Sequence, residues 1–249
     1  MKDSPIYETF TLPSKGMVYE TPINPQVTLR SMTTLEEMKR LSQTDTPYKV
    51  MADIIEDCMR EKPKIHVYDM CLGDYEFLLH KIRVVTYGSE YKMTITCPNC
   101  GKITDAEIDL DTLEVNEYDE TYLDCVNITL PVSNKAIELK YQTPKDLDNI
   151  SYKKKEMQKK TKSNVDFGLL FTTMSLIKKV DGQVIDPLAK EEFVKKLPMK
   201  DVNFIIAKAT ELSKKVGVDN LVTATCSDCG YEIVTPFRLN PTFFRPDID

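Results

Sequence analysis

The chain has 249 residues, 41% of them hydrophobic and 29% charged, with a formal net charge of −6. That length supports one large or two modest domains, the acidic balance argues against a general nucleic-acid binder, and no stretch approaches the roughly 20 apolar residues that span a bilayer, the closest being 165–177. Seven cysteines with no apolar signal segment ahead of them point to a reducing compartment, where thiols bind metal in preference to crosslinking.

The opening stretch carries Pro5, Pro13, Pro22 and Pro25 among Phe10, Leu12, Val18, Val27 and Leu29, which predicts short strands with a turn at Pro13-Ser14-Lys15-Gly16. Thr34 and Glu37 fit a capping box that starts a helix running to Leu41, and Thr46-Pro47 supplies the N-cap and first position of a second. Met51, Ile54, Ile55, Cys58 and Met59 then fall on one helical face. A third helix begins near Asp69 or Asp74, keeps its spacing through Tyr75, Leu78, Leu79, Ile82 and Val85, and stops at Gly88. Farther on, 126–130 and 136–141 alternate like a strand pair, Thr143-Pro144 opens a charged helix, and 164–178 reads as one apolar core helix through Leu169, Leu170, Phe171, Met174 and Ile177. Asp181-Gly182 is a favoured hairpin turn, Asp186-Pro187 starts a short helix, and a helix over 200–216 ends at Gly217. The C-terminal segment 237–246, with Phe237, Phe243 and Phe244, is too apolar for a loose tail and is expected to dock, on this chain's own core or on a neighbouring subunit.

Two cysteine pairs carry the clearest chemistry: Cys97 and Cys100 in Thr-Cys-Pro-Asn-Cys-Gly, and Cys226 and Cys229 in Thr-Cys-Ser-Asp-Cys-Gly. Each Cys-x-x-Cys turn followed by glycine points backbone amides at its thiolates, and two turns supply the four sulfurs of a tetrahedral Zn²⁺ site. Alternating residues flank both turns, which places each on a hairpin and disfavours a redox dithiol, since such dithiols usually open a helix. Four thiolates leave no open position for water, so the expected zinc is structural. Cys58, Cys71 and Cys125 read as small buried apolar residues. The fold class expected is α+β: a zinc-ribbon-like β unit made by two distant hairpins (91–142 and 218–249, with the docking tail), an N-terminal β entry with a small helical bundle (1–90), and a helical insertion (143–217).

Catalytic constellations are hard to find in the sequence, so an enzyme is the less favoured class. His66 and His80 are the only histidines, in no metalloprotease or nucleophile motif, and His80 becomes a metal ligand only if one cysteine is unused. No phosphate-cradling glycine loop occurs. Lys153, Lys154, Lys155, Lys159, Lys160 and Lys162 face a single Glu156 in one run, which reads first as a solvated helix face and second as a contact for an anionic partner.

Residues 10–19 (Phe-Thr-Leu-Pro-Ser-Lys-Gly-Met-Val-Tyr), 27–37 with Thr33-Thr34-Leu35-Glu36-Glu37, and 74–83 with Asp74-Tyr75-Glu76, followed by Tyr87-Gly88-Ser89-Glu90-Tyr91, resemble the baseplate hub proteins of T4-type contractile-tailed bacteriophages. The resemblance implies a non-enzymatic hub component or hub-assembly factor, with other baseplate and tail-hub proteins as partners, located in the virion tail or in the host cytoplasm during assembly. It implies no catalytic residues to carry over, and with the residues' own reading no small-molecule substrate and no membrane insertion are expected. The alternatives from the residues themselves are a zinc-ribbon nucleic-acid or transcription-associated module that uses the lysine run, and a thiol oxidoreductase that uses one cysteine pair.

Overall fold

The computed structural model describes residues 6–121, 125–161, 165–237 and 243–244. Strand β1 (Tyr7–Thr11) pairs antiparallel with β2 (Gln26–Arg30) across the proline-rich loop. That loop turns through Gly16 at φ +73°, where a Cβ would lie 2.1 Å from the Ile23 carbonyl oxygen, so both conformation and space demand glycine. Helix α1 (Thr34–Arg40) starts one residue earlier than the sequence pattern implies, because its capping box is Thr33 with Glu36. The chain offers both registers, and tertiary contacts choose: Arg30 on β2 lies 3.0 Å from Glu36, while Glu37 is left to pair with Arg40. Burial opposes the Glu36 charge, yet the Arg30 guanidinium and the Thr33 hydroxyl and amide hold its carboxyl down at about 2.

Helix α2 (Pro47–Cys58) has Pro47 in the first turn as expected, but the Thr46 side chain makes no capping bond. Its free amides are met from elsewhere. The carboxylate of Asp148, on helix α4 (Pro144–Thr161), accepts from Tyr48 N at 3.4 Å and Lys49 N at 3.0 Å, and from the Tyr68 hydroxyl at 3.1 Å. Helix α3 (Leu72–Tyr87) ends at Gly88, φ 90°. The apolar faces of α2 and α3 and the β1–β2 hairpin close the largest core, around Leu29, Ile54, Ile55, Leu78 and Ile82. Phe237, Phe243 and Phe244 enter this same core, so the described part of the C-terminal segment docks on its own chain; residues 238–242 and 245–246 lie outside the described residues.

A second core lies under a three-stranded antiparallel sheet ordered β6 (Asn127–Thr129), β7 (Ala136–Leu139), β8 (Ile177–Val180). Helices α4, α5 (Gly168–Leu176), α6 (Pro187–Lys196) and α7 (Met199–Ser213) accompany it, with Leu130, Ile137, Leu139, Ile177, Ile205 and Leu212 buried. Two sequence readings change here. The apolar segment expected as one helix stops at Leu176, because Ile177 pairs with Leu139 on the open edge of β7, and β-branched Ile177 and Val180 fit that pleat. The strand pair over 126–141, grouped from sequence with the cysteine hairpins, packs with the helices through the same β8. Asp181-Gly182 does form a tight turn, at φ 49° and 79°, but it leads only to a bridge between Val180 and Gln183.

Helix α7 stops at Ser213, short of the expected end, and Gly217 starts strand β9 (Gly217–Val218), which pairs with β5 (Val115–Asn116). There the backbones of Gly73 and Gly217 meet, and a Cβ on Gly73 would lie 2.2 Å from the Val216 carbonyl oxygen. The third and smallest cluster joins the hairpins β3 (Glu90–Thr96)–β4 (Ile103–Asp109) and β10 (Leu221–Thr225)–β11 (Glu232–Pro236).

Candidate metal centre

Each cysteine pair sits at the tip of its hairpin, as the alternation predicts. Thr96 pairs with Ile103 and Thr225 with Glu232, and the turns close identically: Cys97 N donates to Lys102 O and Gly101 N to Cys97 O, as Cys226 N donates to Tyr231 O and Gly230 N to Cys226 O. Gly101 and Gly230 take φ 75° and 70°, the left-handed step that lets each turn fold back beneath its sulfurs. Ile95, Ala106 and Ile233 pack between the hairpins and bring the tips together.

The result is a four-sulfur cluster. Cys97, Cys100, Cys226 and Cys229 place their Sγ atoms within 4.8 Å of one another, with Cys97 to Cys229 and Cys100 to Cys226 both at 3.7 Å. Those separations are too long for disulfides, whose sulfurs lie about 2.05 Å apart. They match a tetrahedron, since Zn–S bonds of about 2.3 Å set sulfurs roughly 3.8 Å apart. Cys97 and Cys226 are buried and Cys100 and Cys229 exposed, so the cluster has an apolar floor and a wet rim.

Groups that the spacing alone did not single out complete the site. The Thr104 hydroxyl lies 3.5 Å from Cys226 Sγ, and with the amides of Cys229 and Asp228 it lowers that thiol to about 6. Cys100 moves the other way: the Lys102 amide favours its thiolate, but local desolvation by the cluster and hydrogen bonding to the three neighbouring sulfurs push it up to about 12, as expected when several thiols share one site. Lys102 and Asp228 form an ion pair across the two tips at 2.5 Å, and Asn99 Nδ2 approaches Cys229 Sγ at 3.6 Å. Thr104 was legible in outline, being an inward position of β4 beside Ala106.

The remaining sequence candidates lie elsewhere. His80 is buried in the main core, its ring 5.7 Å from that of Phe237 and 5.3 Å from that of Phe243, and it is not part of the sulfur cluster. His66 caps the 3-10 turn Val67–Asp69 by accepting from Tyr68 N. The lysine run is largely spent on its own neighbours, with Lys154 on Asp166 at 2.9 Å, Lys155 on Asp45 at 2.8 Å and Lys160 on Glu156 at 2.7 Å; Lys162 lies outside the described residues.

The N-terminal sequence blocks converge on a different feature. Asp74 accepts from Ser14 N at 2.9 Å, from the Ser14 hydroxyl and from the Tyr19 hydroxyl at 2.6 Å, and the Ser14 hydroxyl accepts from Gly16 N at 3.0 Å. Burial raises the Asp74 carboxyl above the ordinary aspartate range, against the pull of these donors. Ser14 and Asp74 have no exposed surface, so no substrate reaches them. The network is a lock that ties the proline-rich loop to the start of α3.

No curated protein and no solved structure matches the chain. A family model described as T4 bacteriophage base plate protein matches residues 4–245.

Proposed function

The chain belongs to the family of T4 bacteriophage base plate proteins, and on that premise we propose that it is a non-enzymatic structural or assembly component of the baseplate hub, stabilised by one structural Zn²⁺ on Cys97, Cys100, Cys226 and Cys229. The observation that carries the metal reading is the clustering of four sulfurs from pairs 126 positions apart at separations that suit a tetrahedral ion. Four thiolates select a soft or borderline cation and leave no ligand position open for reacting water, which favours a staple over a catalyst. When bound, the metal cross-links the two hairpins. Thr104 and the tip amides stabilise the thiolate that the ion requires, and Ile95, Ala106 and Ile233 hold the tips in register.

The partners on this reading are other baseplate and tail-hub proteins, and the protein acts in the virion tail or on its assembly intermediates. The ion pairs that occupy Lys154, Lys155 and Lys160 support this over a nucleic-acid module, because those lysines already have carboxylate partners. The test combines elemental analysis with co-purification. One zinc per chain, lost in Cys226→Ser, together with recovery in tail-hub particles or intermediates, is the expected result. A metal-free chain overturns the zinc assignment, and a free monomer absent from both particles and intermediates overturns the hub assignment.

A further inference from the structure

One lysine of the run behaves differently from its neighbours. Lys153 is exposed, but its ammonium lies over an aromatic ring in place of a carboxylate, 5.7 Å from the centre of the Phe171 ring. It lines a recess of about 200 Å³ between α4, α5 and the start of α6, together with Lys140, Lys190 and Asp146. Its apolar lining comes from Ile150, Phe171, Met174 and Ile185, with Asn149 and Ser175 adding polar groups.

The charges in this recess do not balance. Asp146 is its one acidic residue, and its Oδ2 atom is engaged by Lys140 Nζ at 2.7 Å, by Thr143 N at 3.0 Å and by the Thr143 hydroxyl at 3.2 Å. Lys190 donates to the Ile177 carbonyl oxygen at 2.7 Å and has no carboxylate partner among the described residues; Lys153 likewise has none. An ammonium carries three donors, so both keep donors to offer. Burial, and then Lys140, lower the Lys190 ammonium's affinity for its proton, with Asp146 opposing, as expected of crowded cations short of one anion.

We propose that this recess is a binding site for a carboxylate carried on a short apolar stem, such as an acidic side chain presented by a partner protein. The carboxylate sits between Lys153 and Lys190, where its charge restores the balance, and the stem lies on Phe171 and Met174. The ammonium groups serve either anion; an acid with an apolar stem suits the recess better than inorganic phosphate because the stem can cover Phe171 and Met174, which a bare phosphate leaves in water. The site is independent of the sulfur cluster and of the family assignment.

The experiment is a titration of the full-length protein with hexanoate, acetate and inorganic phosphate, followed by methyl NMR shifts of Ile150, Met174 and Ile185. Saturable shifts with hexanoate are expected, at least about tenfold weaker in Lys153→Met and in Lys190→Met, as for loss of one charge-assisted bond. Lys190→Met also removes a bond to the Ile177 carbonyl, so Lys153→Met, which leaves every backbone bond in place, is the decisive variant. Lys155→Met, whose ammonium pairs with Asp45 outside the recess, is expected to bind as the parent does. Phosphate binding without hexanoate binding, shifts that never saturate, or equal affinity in Lys153→Met would overturn the proposal.

Discussion

Replacing Asp74 by alanine tests whether the N-terminal sequence blocks are a structural lock. The carboxylate is fully buried and accepts from three donors: Ser14 N, the Ser14 hydroxyl and the Tyr19 hydroxyl. Tyr19 is half-buried and its hydroxyl also lies 3.7 Å from Cys71 Sγ, so the cost concentrates on the fully buried Ser14, whose amide and hydroxyl both lose their acceptor, and on the space the side chain leaves. An unsatisfied buried donor costs about 1–3 kcal/mol, and with the small cavity Asp74→Ala is expected to lose about 3–5 kcal/mol. Asp74→Asn keeps the volume but turns an NH₂ toward a donor, at about 1–3 kcal/mol, and Tyr19→Phe removes one bond, at about 1 kcal/mol. Urea unfolding at constant m-value gives the ranking, and amide exchange at Ser14 gives the local effect. Because Tyr19 and Asp74 touch, their double mutant is expected to be non-additive by at least about 0.5 kcal/mol. An Asp74→Ala loss below about 1 kcal/mol, or strict additivity with Tyr19→Phe, would refute the lock.

Three further expectations rest on buried groups. Burial pushes His80 down to about 4, with Lys81 adding to the effect and Asn220 opposing it; above pH 6.5 the residue is neutral in both states, and as pH falls from 6.5 to 4 the unfolded chain takes up a proton that the native one refuses. Stability therefore drops by about 3 kcal/mol across that window, and His80→Leu should flatten this part of the urea-midpoint profile; an unchanged profile would show that His80 is protonated in the fold. Phe243 has no exposed surface and stacks on His80, Tyr91, Phe237 and Phe244, so Phe243→Ala is expected to cost about 3–5 kcal/mol, and a loss under about 1 kcal/mol would remove the C-terminal aromatics from the main core. Asp148→Ala should cost about 2 kcal/mol as a lost helix cap, whereas Thr46→Ala should be near neutral because Thr46 makes no capping bond; the reverse order in thermal melts would return the cap to Thr46.

Features that depend on a few neighbouring residues were legible before any fold was known. Cys-x-x-Cys-Gly between alternating residues predicts a tight turn with a left-handed glycine at the tip of a hairpin, as found at Gly101 and Gly230. Pro47, Gly88, Asp181-Gly182 and Asp186-Pro187 mark starts, stops and turns for equally local reasons. Long-range packing made the choice where a local pattern had two acceptable outcomes or needed a distant partner. Thr33 and Thr34 offer the same capping box one residue apart, and the Arg30 guanidinium selects Glu36. Ile177 satisfies a helix pattern as well as a strand pattern, and the unpaired edge of β7 takes it into the sheet. The cap of α2 is Asp148, a hundred residues away, and the partner of Ser14 is Asp74, 60 residues away. A buried hydrogen-bonding group must be satisfied by whatever the fold brings to it, and short-range spacing carries no information about that partner. The same holds for the sulfur cluster: each pair is legible by itself, but only the packing of Ile95 and Ala106 against Ile233 brings the two pairs within bonding distance of one ion.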